Sequence, residues 1–147
     1  MKKYLYLLLI ALCASMSFTL VSCKDDDDDK VSIGSVVGTW KVDASDFASD
    51  FWDSNIKSIG YTRFQEDGTY IVLEYYKEPG KEAEIEVEYG TWSQSGETLT
   101  LKLDGDTMKL TILSMSKTSM VVATNTGLSL TVTYEKCLDS EMDQYLP

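Results

Sequence analysis

Glu82-Ala83-Glu84-Ile85-Glu86-Val87-Glu88-Tyr89-Gly90-Thr91-Trp92 alternates acidic and apolar residues with a period of two. Successive side chains of an extended chain point to opposite faces, so this stretch reads as a strand. Ala83, Ile85, Val87 and Tyr89 are expected to face a core, with Glu82, Glu84, Glu86 and Glu88 solvated on the other side. Gly90 interrupts that parity before Trp92 and reads as a bulge or sharp bend. The same two-faced pattern recurs downstream. Leu99, Leu101 and Leu103 oppose Thr98, Thr100 and Lys102; Met108, Leu110 and Ile112 oppose Thr107, Lys109 and Thr111; Leu128, Leu130, Val132 and Tyr134 oppose Ser129, Thr131, Thr133 and Glu135.

Working outward, eight strands are expected at about 36–43, 57–66, 69–77, 82–93, 97–103, 107–114, 118–124 and 128–136. Asp67-Gly68, Pro79-Gly80, Ser95-Gly96, Asp104-Gly105-Asp106 and Asn125-Thr126-Gly127 punctuate them with turn residues. Short links imply antiparallel neighbours, hence an all-β, eight-stranded, up-and-down antiparallel barrel. At Asp67-Gly68 two registers stay open. A two-residue turn sets Phe64 beside Ile71, and a three-residue loop with Gly68 left-handed sets it beside Tyr70. The one long connection joins strands one and two. Phe47, Ala48, Phe51, Trp52 and Ile56, with Asp43 or Ser45 as an N-cap, predict a short amphipathic helix there, either a plug in one end of the barrel or a lid over a ligand mouth.

The N-terminus carries a different signal. Lys2 and Lys3 precede an uncharged stretch, Tyr4 to Leu20, and then Leu20-Val21-Ser22-Cys23. This resembles the signal peptide and lipobox of bacterial lipoproteins, which implies cleavage before Cys23 and lipidation of Cys23. Cys13 is a poor rival, because bulky Leu12 would occupy the cleavage position. Two acyl chains suffice for stable anchoring, so the implied partner of residue 23 is the lipid bilayer. No later apolar run approaches the ~20 residues a spanning helix needs. Lys24-Asp25-Asp26-Asp27-Asp28-Asp29-Lys30 reads as a self-repelling spacer. Lys24, Asp25 and Asp26 also resemble the export signal that sends some Gram-negative lipoproteins to the cell surface. The implied location is the outer membrane, lipid-anchored and surface-exposed, with the periplasmic face as the alternative. An EF-hand reading fails, since its sixth and twelfth positions counted from Asp25 hold Lys30 and Val36 rather than Gly and Glu. Residues 1–22 are thus read as signal peptide, 23–33 as lipidated cysteine and acidic linker, 34–137 as barrel, and 138–147 as a C-terminal tail.

Composition bounds the chemistry. The formal charge is −11 over 147 residues. Cleavage before Cys23 removes Lys2 and Lys3 and no acid, taking the charge to −13. Such a surface disfavours nucleic acid. With no histidine, Ser-His-Asp and Cys-His catalysis and imidazole zinc sites are excluded. Cys137 is left as the only thiol once residues 1–22 are gone and Cys23 is acylated, and it reads as a small packed residue. Paired carboxylates are ubiquitous in so acidic a chain, so no enzyme, metal or cofactor is expected. Arg63, the only arginine, is expected in a surface ion pair, or on an anionic headgroup if it faces inward.

Gly38-Thr39-Trp40 resembles the Gly-x-Trp signature of lipocalins. With Phe64-x-x-Asp67-Gly68-Thr69-Tyr70, Gly90-Thr91-Trp92, Leu99-Thr100-Leu101 and Thr133-Tyr134-Glu135-Lys136, the ordered set over residues 34–137 resembles the lipocalin-like domains of bacterial lipoproteins. The resemblance implies that Trp40 packs across the closed end of the barrel. It also implies a small apolar ligand, lined by Trp40, Phe51, Trp52, Phe64, Tyr70 and Trp92. Secreted lipocalins commonly carry a disulfide and a helix after the barrel; here the disulfide cannot form and about ten residues follow Cys137. An eight-stranded barrel either fills itself or holds one small molecule. The expected inward set of Trp40, Tyr89, Met108, Tyr134 and many aliphatics contains few small residues. The alternative is therefore a packed barrel acting through its surface on a protein partner or as an inhibitor.

Overall fold

The computed structural model describes residues 33–45, 55–124 and 130–147. The strands are β1 Gly38–Asp43, β2 Lys57–Phe64, β3 Thr69–Lys77, β4 Glu84–Ser95, β5 Thr98–Leu103, β6 Asp106–Met115, β7 Ser119–Thr124 and β8 Leu130–Cys137. Each pairs antiparallel with its sequence neighbour, and β8 returns to β1 with Trp40 opposite Lys136, closing the barrel. Closure leaves no unpaired edge. Phe64 lies opposite Tyr70, so the β2–β3 hairpin has the three-residue register, with Gly68 at φ +85°. The ladder shifts once, between Ile112 and Ser114 of β6 against β7.

Two of the sequence expectations change. First, β4 is turned over relative to the reading above. Tyr70, Val72 and Trp92 pack in the barrel core, whereas Ile71, Tyr75 and Val87 pack in a second cluster outside it. Parity then carries Glu84, Glu86, Glu88, Gly90 and Trp92 inward and Ile85, Val87 and Tyr89 outward. Tyr89 is 64% exposed and Ile85 46%. Gly90 is not a bulge, because the β3–β4 register runs through it unbroken, opposite Tyr70. The Tyr70 ring and the Lys102 carbonyl occupy the space that a side chain at Gly90 would need.

Second, a short helix, α1 Asp139–Asp143, follows the barrel where a tail was expected. The helix expected around Phe47, Phe51 and Trp52 lies outside the described residues. The segment from Asp139 to Leu146 is not a free tail. Met142 is fully buried in the outer cluster with Ile59, Tyr61 and Leu73, and Tyr145 packs on Tyr75 at 4.8 Å and Tyr61 at 5.9 Å. Arg63, facing outward as expected, holds this segment to the barrel. Its Nη2 donates to Asp143 Oδ1 and to the Asp139 carbonyl, both at 2.8 Å, and its Nε to Thr39 Oγ1 at 2.9 Å. Lys41 pairs with Glu141 at 3.1 Å. Cys137 is half-buried against the same cluster.

Candidate functional site

The two ends of the barrel differ in chemistry. One end carries the β2–β3, β4–β5 and β6–β7 hairpins and receives the chain at Ile33. It is sealed from within. Trp40 is 1% exposed, its Nε1 donates to the Val36 carbonyl at 2.8 Å, and Val36 is fully buried. Lys136 lies over the Trp40 ring at 4.4 Å and donates to the Val37 carbonyl at 2.7 Å. Phe64 meets Trp92 edge-on at 5.5 Å and Tyr70 at 6.0 Å. The Trp92 Nε1 donates to the Gln65 carbonyl at 3.0 Å. Such contacts are favourable for aromatic and cation–ring pairs. Gly38 has φ +124°, a conformation that residues with a Cβ rarely adopt, which accounts for the glycine two residues before Trp40.

Four of the six residues expected to line a ligand, Trp40, Phe64, Tyr70 and Trp92, therefore gather at this closed end, and all four belong to the barrel core. The other two, Phe51 and Trp52, lie outside the described residues. The connection that holds them leaves and re-enters the barrel at the opposite end, where the Ala44 N–H donates to the Ser58 carbonyl at 2.8 Å. Phe64, Tyr70 and Trp92 lie at the other end of the barrel from the points where that connection leaves and re-enters it. On the outside of the closed end, Ile33, Gly34, Gly68, Trp92 and Gln94 line a shallow groove of about 460 Å³.

Toward the opposite end, the mouth, small and polar residues join the inward face. The inward positions of β2 are Ser58, Gly60 and Thr62, alternating with the outward-packed Ile59 and Tyr61. Val72, Leu101, Leu103, Met108 and Tyr134 face the core yet stay partly exposed, whereas Leu99, Leu110 and Ile112 are buried. Between these walls stand Glu86 and Glu88, expected above on the solvated face, with Glu74 beside them. Glu86 of β4 sits directly opposite Glu74 of β3, and Glu88 opposite Val72. Glu74 is only 9% exposed. Burial first, then Glu86 and Glu88, push its carboxyl up to about 7. Tyr134, from β8 across the barrel, is pushed up to about 12 by burial and then by Glu74 and Tyr70.

The signal that could have found these glutamates was available. Trp92 and Glu86 share parity, so placing Trp92 in the core places Glu86 there too. Among the described residues, no group of three or more acidic or cysteine side chains is arranged to hold a metal ion.

Comparison with curated proteins and with solved structures found no match. A family model described as a lipocalin-like domain matches residues 36–122, from the buried Val36 to Val122 of β7. That span covers more than half of the chain and contains Trp40, Phe64, Tyr70 and Trp92, the inward carboxylates, six whole strands and most of β7. The chain therefore belongs to the lipocalin-like domain family.

Proposed function

We propose that this protein is a membrane-anchored lipoprotein whose barrel holds one small, largely apolar molecule in its mouth-side half. The observation that carries the reading is an interior only partly filled by its own apolar side chains: Val72, Leu101, Leu103 and Met108 face the core yet stay partly exposed, while Val42, Leu99, Leu110 and Ile112 are buried. A barrel packed solid by its own side chains would not leave those positions wetted.

Anchoring through acylated Cys23, with Lys24, Asp25 and Asp26 directing export, is supported by the sequence pattern. The chain enters the barrel at its closed end, ten residues after Cys23. An extended linker of that length reaches roughly 35 Å. The tether to the outer membrane then attaches at the closed end.

A second reading has its own support. Ile85 and Tyr89 project outward from β4 as exposed apolar side chains, as a protein-interaction or inhibitor module would require. The two readings separate with N-phenyl-1-naphthylamine, a neutral apolar probe that fluoresces when it leaves water. Saturable enhancement, with unchanged response in Ile85→Ser/Tyr89→Ser, supports the barrel. No enhancement removes the barrel reading in favour of the surface one.

A further inference from the structure

From the placement of Glu74, Glu86 and Glu88 inside the barrel, we infer that the molecule it holds carries a positively charged amine, seated between these carboxylates while its apolar body lies against Val72, Leu101 and Met108. The inference rests on the barrel-ligand reading above and specifies its chemistry.

Two independent observations converge on it. The first is the inward row on β4, in which Glu86 and Glu88 occupy successive interior positions. The second is Glu74 on the neighbouring strand. Glu74 is 9% exposed as a residue, and the inward parity it shares with Tyr70 and Val72 aims it into the same space. No hydrogen bond or ion pair satisfies it among the described residues, and its electrostatic neighbours on β4 are the like-charged Glu86 and Glu88.

Like charges directly opposite on adjacent strands destabilise a sheet, and a buried carboxylate without a partner is costly. Either cost disappears when a cation enters. Arg63, Lys41, Lys57 and Lys136 are committed elsewhere, Lys57 over the outward Tyr75 ring. Arg63 and Lys41 hold α1 on the outer face, and Lys136 covers Trp40 at the closed end. Gly60, opposite Glu74 on β2, puts no side chain against the carboxylate.

The geometry selects an organic ammonium over a metal ion. The carboxylates are spread over successive ladder steps, and no metal-holding group exists among the described residues. Partly exposed aliphatic side chains share the interior, Val72 beside Glu88 and Leu101 and Met108 on β5 and β6, which suits an ammonium attached to a hydrocarbon body.

The test is isothermal titration of the full-length protein at about pH 8 and 0.15 M salt, conditions that screen the exposed surface charge. Three probes of one length are compared: octylammonium, octan-1-ol and octanoate. The expected result is octylammonium binding about tenfold or more tighter than octan-1-ol, with octanoate weakest. Glu74→Gln/Glu86→Gln should erase that preference while retaining octan-1-ol binding, which also shows that the variant is folded. Glu135→Gln, an exposed outward acid on β8, should leave the preference unchanged.

Equal affinity for octylammonium and octan-1-ol in the wild type overturns the amine inference and leaves the barrel reading standing. A preference that survives Glu74→Gln/Glu86→Gln, or calcium chloride displacing octylammonium at millimolar concentration, also overturns it. Absence of binding by all three probes overturns both.

Discussion

Replacing Glu74 by Gln should make the protein more stable, in a pH-dependent way. Gln keeps the size of the side chain and removes its charge. Glu74 faces Glu86 and Glu88 on β4, Tyr134 on β8 and no cation among the described residues. Its carboxyl is raised from the ordinary 4.5 to about 7. The folded protein therefore binds a proton there that the unfolded chain has already released. Stability falls as pH rises from about 4.5 to about 7, and the full loss is present above that. A displacement of this size corresponds to roughly 3 kcal/mol at pH 8 and to almost nothing below pH 4.5. Glu74→Gln should recover about that amount at pH 8 and little at pH 4.5. For a domain of this size it is a rise of roughly 10–20 °C in the melting temperature. Urea unfolding of both proteins at the two pH values measures it, and the difference between them isolates Glu74 from the other acids. A variant less stable than wild type at pH 8, or a difference that does not change with pH, would refute the inward placement of Glu74.

Truncating Trp40 to Ala should cost on the order of 3–5 kcal/mol, because the indole is buried under Lys136 and bonded to the Val36 carbonyl; a loss under about 1 kcal/mol would place Trp40 outside the seal. Cys23→Ala should abolish labelling by a fatty-acid probe and release the protein from membranes or leave it unprocessed, and retained label would sink the lipidation site. With Asp25 to Asp29 replaced by Ser, a lipidated protein hidden from protease added to intact cells is expected; equal exposure would reduce the tract to a spacer.

The strand pattern was legible in the sequence because alternation and turn residues are local. Each strand fell within about two residues of its expected span, and the β2–β3 register was one of two foreseen. What a period-two pattern does not state is which face is inside. In β4 the apolar face, Ile85, Val87 and Tyr89, looks outward, with Val87 covered by the C-terminal segment and the other two exposed. The acidic face looks inward. Hydrophobicity alone assigns such a strand backwards, since here the acidic face lines the interior and part of the apolar face is covered from outside. Gly90 looked like a break in parity for the same reason: once the glutamates are inside, Trp92 follows in step. The role of α1 was hidden by its length, for five residues carry no helical periodicity, and its attachment depends on Arg63, which is 76 residues away from Asp139. Lys136 was noted as part of a motif, but its seat over Trp40 follows only from the β1–β8 pairing.

Native mass spectrometry of the protein extracted from its own membrane tests the central claim most directly. The account predicts a lipidated chain beginning at Cys23 that carries one additional small molecule with a basic amine, lost on gentle activation and absent from Glu74→Gln/Glu86→Gln. A wild-type chain that appears only at its lipidated mass, with nothing bound, would contradict it.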